Sequence, residues 1–206
     1  MMNANKIITI GRQFGSGGRE IGKKLAELLN VGFYDKELIE LAAKQSGMSE
    51  EVFSQNDEKA TNSLLYSLSV GSYMMGNRIS SYGEMPLENR LFLIQSDVIK
   101  ELADKGPCVI VGRCADYILR DRANSFSVFI HADDESRISR IEKLYNLPAK
   151  KAKELMIRTD KKRANYYNYY SDRKWDRADN YDLCINSSKI GIDGAVQIIA
   201  KFAEEA

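Results

Sequence analysis

The amino-acid sequence predicts an α/β fold in which one parallel sheet is covered by helices on both faces. Short β-rich runs alternate along the chain with segments whose apolar residues recur at the helical period. One run, Cys108–Val111, is apolar at every position, which is typical of a strand buried on both faces. The 206 residues are enough for one well-packed domain and few for two. We therefore expect a single domain.

Five strands and four helices follow from these patterns in chain order. The predicted strands are Ile7–Ile10, Gly32–Tyr34, Cys108–Val111, Phe126–Ile130 and Tyr181–Ile185. The apolar helix faces are Ile21, Leu25, Leu28 and Leu29; Leu38, Ile39, Leu41 and Ala42; Leu91, Ile94, Val98 and Leu102; and Ile192, Val196, Ile199 and Phe202. Residues from about 46 to 86 and from about 134 to 180 fit the pattern poorly. We expect both as excursions above the carboxyl ends of the strands, where α/β proteins keep their substrate sites.

The composition excludes several classes of partner. Lys and Arg number 30 against 29 Asp and Glu, so a net charge of +1 provides no bulk attraction to nucleic acid or an anionic membrane. The three cysteines lack metal-like spacing, and an odd number gives no disulfide framework. No apolar run approaches the roughly 18 residues that span a bilayer. We expect a cytoplasmic protein without a nucleic-acid partner, a membrane partner or a metal held by protein ligands.

The segment ITIGRQFGSGGREIG, Ile8 to Gly22, predicts a phosphate-binding loop. A β-branched run ends in three glycines, whose freedom to adopt positive φ lets successive N–H groups point inward as a nest for phosphate oxygens. The helix that begins near Arg19 adds its positive end and its unpaired N–H groups. The predicted phosphate-binding residues are Gly15, Ser16, Gly17, Gly18 and Arg19.

This loop lacks the lysine of the usual motif G-x-x-x-x-G-K-[ST]. Gly18 stands in the lysine position, and neither Ser nor Thr follows it to bind magnesium. Arg12 and Arg19 flank the loop, and a guanidinium group can replace the missing charge. The alternative is that the glycines form only a tight strand-to-helix turn. The coincidence of strand, glycines, arginines and helix favours phosphate binding.

Four segments occur in register over nearly the whole chain: GRQFGSGGREIG, FYDKELI, CVIVGRCADYIL and DKKRANYY. Together they resemble the cytidylate-kinase-like family, a branch of the nucleoside monophosphate kinases within the P-loop kinases. The resemblance implies a P-loop kinase-type three-layer sandwich with a five-stranded parallel sheet. It places the core at about 1–34, 106–134 and 181–206, a helical substrate-binding insertion at about 35–105, and a lid at about 135–180. It further implies that the protein uses ATP with Mg²⁺ and phosphorylates a nucleoside monophosphate, with CMP or dCMP as the favoured acceptor.

The resemblance also carries acceptor-binding roles to individual residues. Gly112-Arg113 resembles the family's Gly-Arg-Asp, whose Arg contacts phosphate and whose Asp reads cytosine; the Asp position is Cys114 here, and the nearest carboxylate is Asp116. Arg113 also follows a buried strand at the sheet's carboxyl edge, where ligands bind. Lys36 and Leu41 replace a base-reading Ser and a phosphate-binding Arg. The full predicted acceptor set is Asp35, Lys36, Lys100, Arg113, Asp116 and Asp160, with Asp35 or Asp116 as outer-shell partners of magnesium.

Asp160 and Arg163 match the Asp-x-x-Arg part of the cytidylate kinase lid motif, Arg-x-x-x-Asp-x-x-Arg. The first arginine of the motif is displaced to Arg158, closer to Asp160 than the motif requires. We expect Arg12, Arg19, Arg158 and Arg163 to be catalytic, since phosphoryl transfer needs converging positive charge and little acid–base chemistry. Arg137 and Arg140 fall where the family keeps lid arginines. The alternative for these two is a set of solvated ion pairs with neighbouring carboxylates.

A run of aromatic residues and the departures from the family leave further alternatives open. Tyr166, Tyr167, Tyr169, Tyr170 and Trp175 either stack nucleobases or brace the lid, and bracing is the favoured interpretation. The changes at Lys36, Leu41 and Cys114 allow a kinase for a different small acceptor. The missing lysine and hydroxyl allow a catalytically weak nucleotide-binding regulator.

Overall fold

A computed structural model of the protein describes residues 6–35, 41 and 85–205. In these ranges five strands form one parallel sheet in the order β2-β3-β1-β4-β5. The strands are β1 Ile7–Arg12, β2 Gly32–Tyr34, β3 Cys108–Val111, β4 Ser125–His131 and β5 Leu183–Asn186. All five predicted strands and the predicted α/β class are confirmed, with strand ends that differ by no more than two residues.

Helices cover this sheet. They are α1 Gly18–Leu29, α2 Leu87–Lys105, the short α3 Ala115–Ile118, α4 Asp134–Tyr145, α5 Ala149–Ser171 and α6 Ser187–Glu205, with a 3₁₀ turn at Ala178–Asn180. Gly191 interrupts α6 with φ 72° and ψ 178°. The helix predicted from Leu38, Ile39 and Ala42 lies outside the described residues. No helix within residues 6–35 and 85–205 is long and apolar enough to cross a membrane.

One face of the sheet packs against α1 and α6. The buried side chains of this layer are Ile8, Ile10, Val109, Val111, Val128 and Ile130 from the strands, Ile21 and Leu25 from α1, and Val196 and Ile199 from α6. Burying one such side chain contributes about 1.5–3 kcal/mol. Ile21, Leu25 and Leu29 of the face predicted for α1 are buried in this layer, whereas Leu28 is 43% exposed, so its place on that face is wrong.

The other face packs against α2 and against the aromatic end of α5. Ile7, Cys108 and Ile110 meet apolar side chains of α2. Phe129 of β4 meets a cluster that contains Cys114, Tyr166, Tyr167, Trp175 and Tyr181. Tyr166, Tyr167 and Trp175 are buried in this cluster and brace α5 against the sheet, whereas Tyr169 is 37% exposed.

The strand order brings two loops together at the carboxyl edge of the sheet. Because β1 lies between β3 and β4, the loop after β1 and the loop after β3 leave the sheet side by side. The N–H of Gly112 donates to the carbonyl of Ile10 at 3.0 Å and joins the two loops at their roots. This is the position at which open α/β sheets bind ligands.

The core assignment predicts a clear difference between two isoleucines. Ile8 is fully buried in the sheet, whereas Ile157 on α5 is 55% exposed. Ile8→Ala should lower the free energy of unfolding by about 2–5 kcal/mol, because it leaves a cavity. Ile157→Ala is the matched control and should change it by about 0.5 kcal/mol or less. Urea unfolding followed by circular dichroism measures both, and equal losses would contradict the layer described above.

Candidate functional site

The glycine loop after β1 has a conformation that its neighbours enforce. Gly15 and Gly17 both have φ 81°, in the left-handed region that glycine adopts without penalty. A Cβ on Gly15 would lie 2.8 Å from the carbonyl oxygen of Arg137, and one on Gly17 would overlap the side chain of Ile192. These glycines are therefore required both by their φ angles and by the space around them.

The loop ends at the N-terminus of α1 with donors that the protein does not use. Within the described residues, the N–H groups of Gly17, Gly18 and Arg19 donate to no protein acceptor, and the first bond of the helix runs from the Ile21 N–H to the Gly17 carbonyl at 2.9 Å. Such a helix end carries partial positive charge. Three of the predicted phosphate-binding positions thus offer an anion site.

Ser16 differs from this expectation. Its hydroxyl donates to the carbonyl of Gln13 at 2.8 Å, and its N–H reaches the same oxygen at 3.3 Å. The hydroxyl of Ser187 donates in turn to the Ser16 carbonyl at 2.6 Å. Because its donors are used inside the loop, Ser16 shapes the turn in this structure, and its role as a phosphate ligand stays a prediction.

Arg12 and Arg113 come together at the roots of the two loops. The guanidinium of Arg12 lies against the Cα of Gly112 and leaves no room there for a Cβ. Arg113 is buried, and burial, together with the charge of Arg12, lowers the pKa of Arg113 to about 10. Gly112, Arg113 and Cys114 have successive positive φ angles of 79°, 59° and 55°. Strained backbone of this kind is typical of functional sites.

Arg19 and Asp35 form an ion pair at the same edge. The Nε of Arg19 donates to Oδ2 of Asp35 at 2.5 Å, with the Asp35 side chain 8% exposed and that of Arg19 56% exposed. The Asp35 carboxylate also raises the pKa of Arg113, so it lies near that guanidinium. Three predicted site arginines and one carboxylate therefore share this edge, and their net positive charge favours a polyanionic ligand.

Helices α4 and α5 contact the loop from the other side. The Nη1 of Arg163 donates to the carbonyl of Arg12 at 3.2 Å, and its guanidinium lies 5.5 Å from the centre of the Phe14 ring. Arg140 pairs with Glu20 of α1 and lies next to Gly17. The predicted lid residues Arg140 and Arg163 are thus both placed at the glycine loop.

Arg137 and Asp160 hold the backbone of Phe14. The Nε of Arg137 donates to the Phe14 carbonyl at 2.8 Å, Asp160 accepts the Phe14 N–H at 2.7 Å, and the two side chains form an ion pair. Partial burial raises the pKa of Asp160, and both donors oppose that rise. The solvated ion pairs considered for Arg137 are wrong because its side chain is buried. The oxygens of Asp160 already accept two protein donors, and its acceptor contact stays a prediction.

A family match decides what kind of site this is. The model of the cytidylate kinase-like family matches residues 7–189. The chain belongs to this family. The cytidylate kinase of Archaeoglobus fulgidus is 30% identical over 201 residues, which cover 96% of this chain and 94% of that one. The predicted family is confirmed, and membership supports a kinase that uses a nucleotide and a small-molecule substrate.

Solved structures resemble this cytidylate kinase-like chain over its whole length. An uncharacterized protein from Eubacterium ventriosum has a TM-score of 0.73 and 31% identity, with 98% of this chain and 99% of that chain covered. The shikimate kinase of Bacteroides thetaiotaomicron has a TM-score of 0.55 and 17% identity, with 97% and 98% covered. The second likeness concerns the fold alone, and the predicted α/β architecture with a five-stranded parallel sheet is confirmed.

Other predicted site residues of this family member lie elsewhere. Lys100 is on the exposed side of α2, 4.0 Å from Asp97, and Arg158 is exposed on α5 with no hydrogen bond or ion pair to any residue in the described ranges. The predicted acceptor contact of Lys100 and the predicted catalytic role of Arg158 stay predictions. Lys36 lies outside the described residues.

Asp116 turns towards the aromatic cluster. It accepts a hydrogen bond from the hydroxyl of Tyr167 at 2.6 Å, and burial raises its pKa against the effect of that bond. Cys114, which stands in the family's Asp position, is buried in the same cluster. This hydrogen bond links α3 to α5, and the predicted acceptor contact of Asp116 stays a prediction.

Phe14 is a site residue that sequence reasoning missed. It is the one large apolar residue between Arg12 and Gly22 apart from Ile21, and it lies in a loop of small and polar residues. That contrast is the signal that could have found it. Gln13 gave no comparable signal, although its Oε1 accepts the N–H of Ala132 at 3.1 Å and fixes the start of the loop.

The raised pKa of Asp116 predicts a pH-dependent stability difference. A carboxyl whose folded pKa lies above its unfolded value adds stability below the unfolded value, about 3.9, and that contribution is lost as the pH rises through the folded pKa. Asp116→Asn keeps an acceptor for Tyr167 and removes this loss. Its stability relative to the unsubstituted protein should therefore be greater at pH 7 than at pH 4. Thermal unfolding at both pH values measures the change.

Asp121→Asn is the matched control, because Asp121 is 85% exposed close to the same helix. It should show no such pH-dependent gain. A gain of the same size in both variants, or none in Asp116→Asn, would contradict the burial of the Asp116 carboxylate.

Proposed function

We propose that this chain transfers the γ-phosphoryl group of ATP to a nucleoside monophosphate, with CMP or dCMP as the first candidate acceptor. The observation that carries the proposal is the convergence of the unused N–H groups of Gly17, Gly18 and Arg19 with arginines of the neighbouring loops at one sheet edge. Phosphoryl transfer needs positioned anions and a positive field, and little side-chain acid–base chemistry. This site offers that combination.

The glycine loop is the proposed binding site of the ATP phosphates. Its amides give hydrogen bonds, and Arg12 is the candidate to replace the missing lysine, because its guanidinium lies between the loop after β1 and Gly112. Arg19 stands where the usual motif has a magnesium-binding hydroxyl. It brings a second guanidinium that Asp35 holds at the edge of the site.

The acceptor is proposed to bind on the side of β2 and β3. Arg113 is the candidate ligand for its phosphate, and Asp35 the candidate for a hydrogen bond to its sugar or base. The name of the Archaeoglobus fulgidus relative, cytidylate kinase, supports a cytidine nucleotide. Lys36 stays a predicted acceptor contact.

Magnesium is proposed to enter with ATP. In residues 6–35 and 85–205 no group of three or more His, Cys, Asp or Glu side chains could hold a metal ion, and Asp35 is already paired with Arg19. The donor set fits an ion that is held by nucleotide oxygens and water, with Asp35 as an outer-shell partner. When bound, Mg²⁺ neutralises charge on the phosphates.

A second candidate function is a kinase with a different small-molecule acceptor. The observation that favours it is the burial of Cys114 at the family's Asp position, together with the hydrogen bond that ties Asp116 to Tyr167. Cys114 has no carboxylate to accept a hydrogen bond from the amino group of cytosine, and the Asp116 carboxylate already accepts one from Tyr167.

An ADP-release assay across a panel of acceptors tests these proposals. The panel contains CMP, dCMP, other nucleoside monophosphates, nucleosides and shikimate, each with ATP and Mg²⁺. Release with CMP or dCMP supports the first proposal, and release only with another compound supports the second. ATP binding without turnover for any acceptor would contradict both and favour a nucleotide-binding regulator.

Arg163→Ala tests the proposed transition-state role of that arginine. Turnover should fall about a hundredfold or more, because the phosphoryl group loses the hydrogen bonds of the Arg163 guanidinium in the transition state. ATP affinity should fall much less. Lys161→Ala removes an exposed cation from the same helix and should leave both unchanged. Steady-state kinetics and calorimetry provide the two readouts, and unchanged turnover in Arg163→Ala would remove the residue from the catalytic set.

Gly17→Ala tests the phosphate loop directly. The added methyl group meets both an unfavourable φ and the Ile192 side chain, so the helix N-terminus should shift and ATP affinity should fall at least tenfold. Gly106→Ala is the control, because Gly106 has φ 141° but no described atom within 4 Å of its Cβ position. Calorimetry with ATP should show a loss in the first variant only. Equal ATP affinity in the two variants would contradict the assignment of the loop.

A further inference from the structure

The backbone of Phe14 is bound on both sides by side chains that are distant in sequence. Its N–H donates to Oδ1 of Asp160 on α5 at 2.7 Å. Its carbonyl accepts from Nε of Arg137 on α4 at 2.8 Å. Two helices therefore contact the backbone of this one loop residue, which is unusual for a loop. The middle of the glycine loop is therefore fixed from outside.

The three residues close into a ring of polar contacts. Arg137 and Asp160 also form an ion pair with each other, and their side chains are only 5% and 18% exposed. Arg137 makes a further contact with Asp134 at 3.3 Å. Because this ring is largely shielded from water, its charge-assisted hydrogen bonds are stronger than they would be on the surface. We call Phe14, Arg137 and Asp160 the Phe14 clamp.

The side chain of Phe14 strengthens the same attachment. It packs on an apolar cluster between α4 and α5 whose members include Ile138, Ile141 and Met156. Its ring centre lies 5.7 Å from that of Tyr145. The main chain of Arg137 and the side chain of Ile141 also press on Gly15, the next loop residue. The helix pair thus holds two consecutive residues of the loop.

The loop needs such support because of its own sequence. Gly15 and Gly17 adopt left-handed backbone, and glycine loses more conformational freedom on ordering than any other residue. Gly18 replaces the lysine that would tie a usual loop to the phosphates. Hydrogen-bond donors stabilise an anion most when they are oriented before it binds.

We propose that the Phe14 clamp orients the glycine loop for ATP, so that Arg137 and Asp160 are positioning residues of the donor site. The inference rests on the proposed function, since it takes the loop to be the ATP site. It gives the acidic residue of the DKKRANYY segment a role on the ATP side of the reaction, where the family resemblance implied the acceptor side. A role on the ATP side predicts that a substitution changes the Kd for ATP, and a role on the acceptor side predicts that it changes the KM of the acceptor.

Asp160→Ala is the first test. It removes the acceptor of the Phe14 N–H and the partner of Arg137, and we expect the Kd for ATP to rise at least tenfold. The KM of the acceptor should stay within about twofold. Asp160→Asn keeps an acceptor oxygen for Phe14 and should recover part of the ATP affinity. Glu154→Gln is the control, because Glu154 is exposed on the same helix and its loss should change neither constant.

The measurements are calorimetry with ATP, steady-state kinetics and thermal unfolding. Failure of the unsubstituted protein to bind ATP would overturn the proposed function itself. ATP binding by the unsubstituted protein together with undiminished affinity in Asp160→Ala would overturn the clamp alone. A rise in the acceptor KM without loss of ATP affinity would also overturn it and return Asp160 to the acceptor site. A lower melting temperature with intact ATP affinity would reduce the clamp to a stabilising contact and overturn its positioning role.

A second measurement needs no variant and decides the matter if Asp160→Ala does not fold. In the protein without nucleotide, the clamp predicts that the Phe14 N–H exchanges with deuterium on the order of a hundredfold more slowly than the Gly17 N–H, which has no protein acceptor among the described residues. Equal exchange rates would overturn the clamp.

Discussion

Three backbone N–H groups at the start of α1 must point at one spot, and the rest of the site depends on this constraint. The Gly17, Gly18 and Arg19 amides can do so only because the loop before them takes left-handed turns at two glycines. Their charge is partial, and the position of the usual lysine is Gly18. In the proposed function, full positive charge comes from side chains on other segments: Arg12 at the end of β1, Arg113 after β3 and Arg163 on α5. Arg12 and Arg113 lie close together because β1 is next to β3 in the sheet, and α5 brings Arg163 to the Arg12 carbonyl.

Guanidinium groups held close together repel one another, and the structure contains the compensation. The lowered pKa of Arg113 reflects burial first and the charge of Arg12 as well, while Asp35 acts in the opposite direction. A bound polyanion would supply the remaining compensation, since charges brought out of water are stabilised only by well-placed partners. Asp35 therefore has two consequences at once: it holds Arg19 and moderates the repulsion among the arginines.

Much of the fold could be predicted from the sequence, because strands and helices leave local periodic patterns. The loop and Arg113 could be placed as well, since a buried strand that ends in glycine or arginine puts these residues at the carboxyl edge. Side-chain partners were harder. Arg137 lies three residues after Asp134 whether its helix face is solvated or buried, and only the packing of α4 on the loop decides. The hydrogen bond between Tyr167 and Asp116 and the exposure of Lys100 likewise depend on which helix faces pack together in the folded chain.

We propose that main-chain amides at the start of α1, aided by guanidinium groups, bind the phosphates of ATP. Backbone amide NMR during an ATP titration is the decisive measurement. The largest chemical-shift changes should fall on Gly17, Gly18 and Arg19, with the Arg12 and Arg113 guanidinium signals shifting at the same ATP concentration. Saturable ATP binding that leaves these three amides unshifted, or no binding at all, would contradict it.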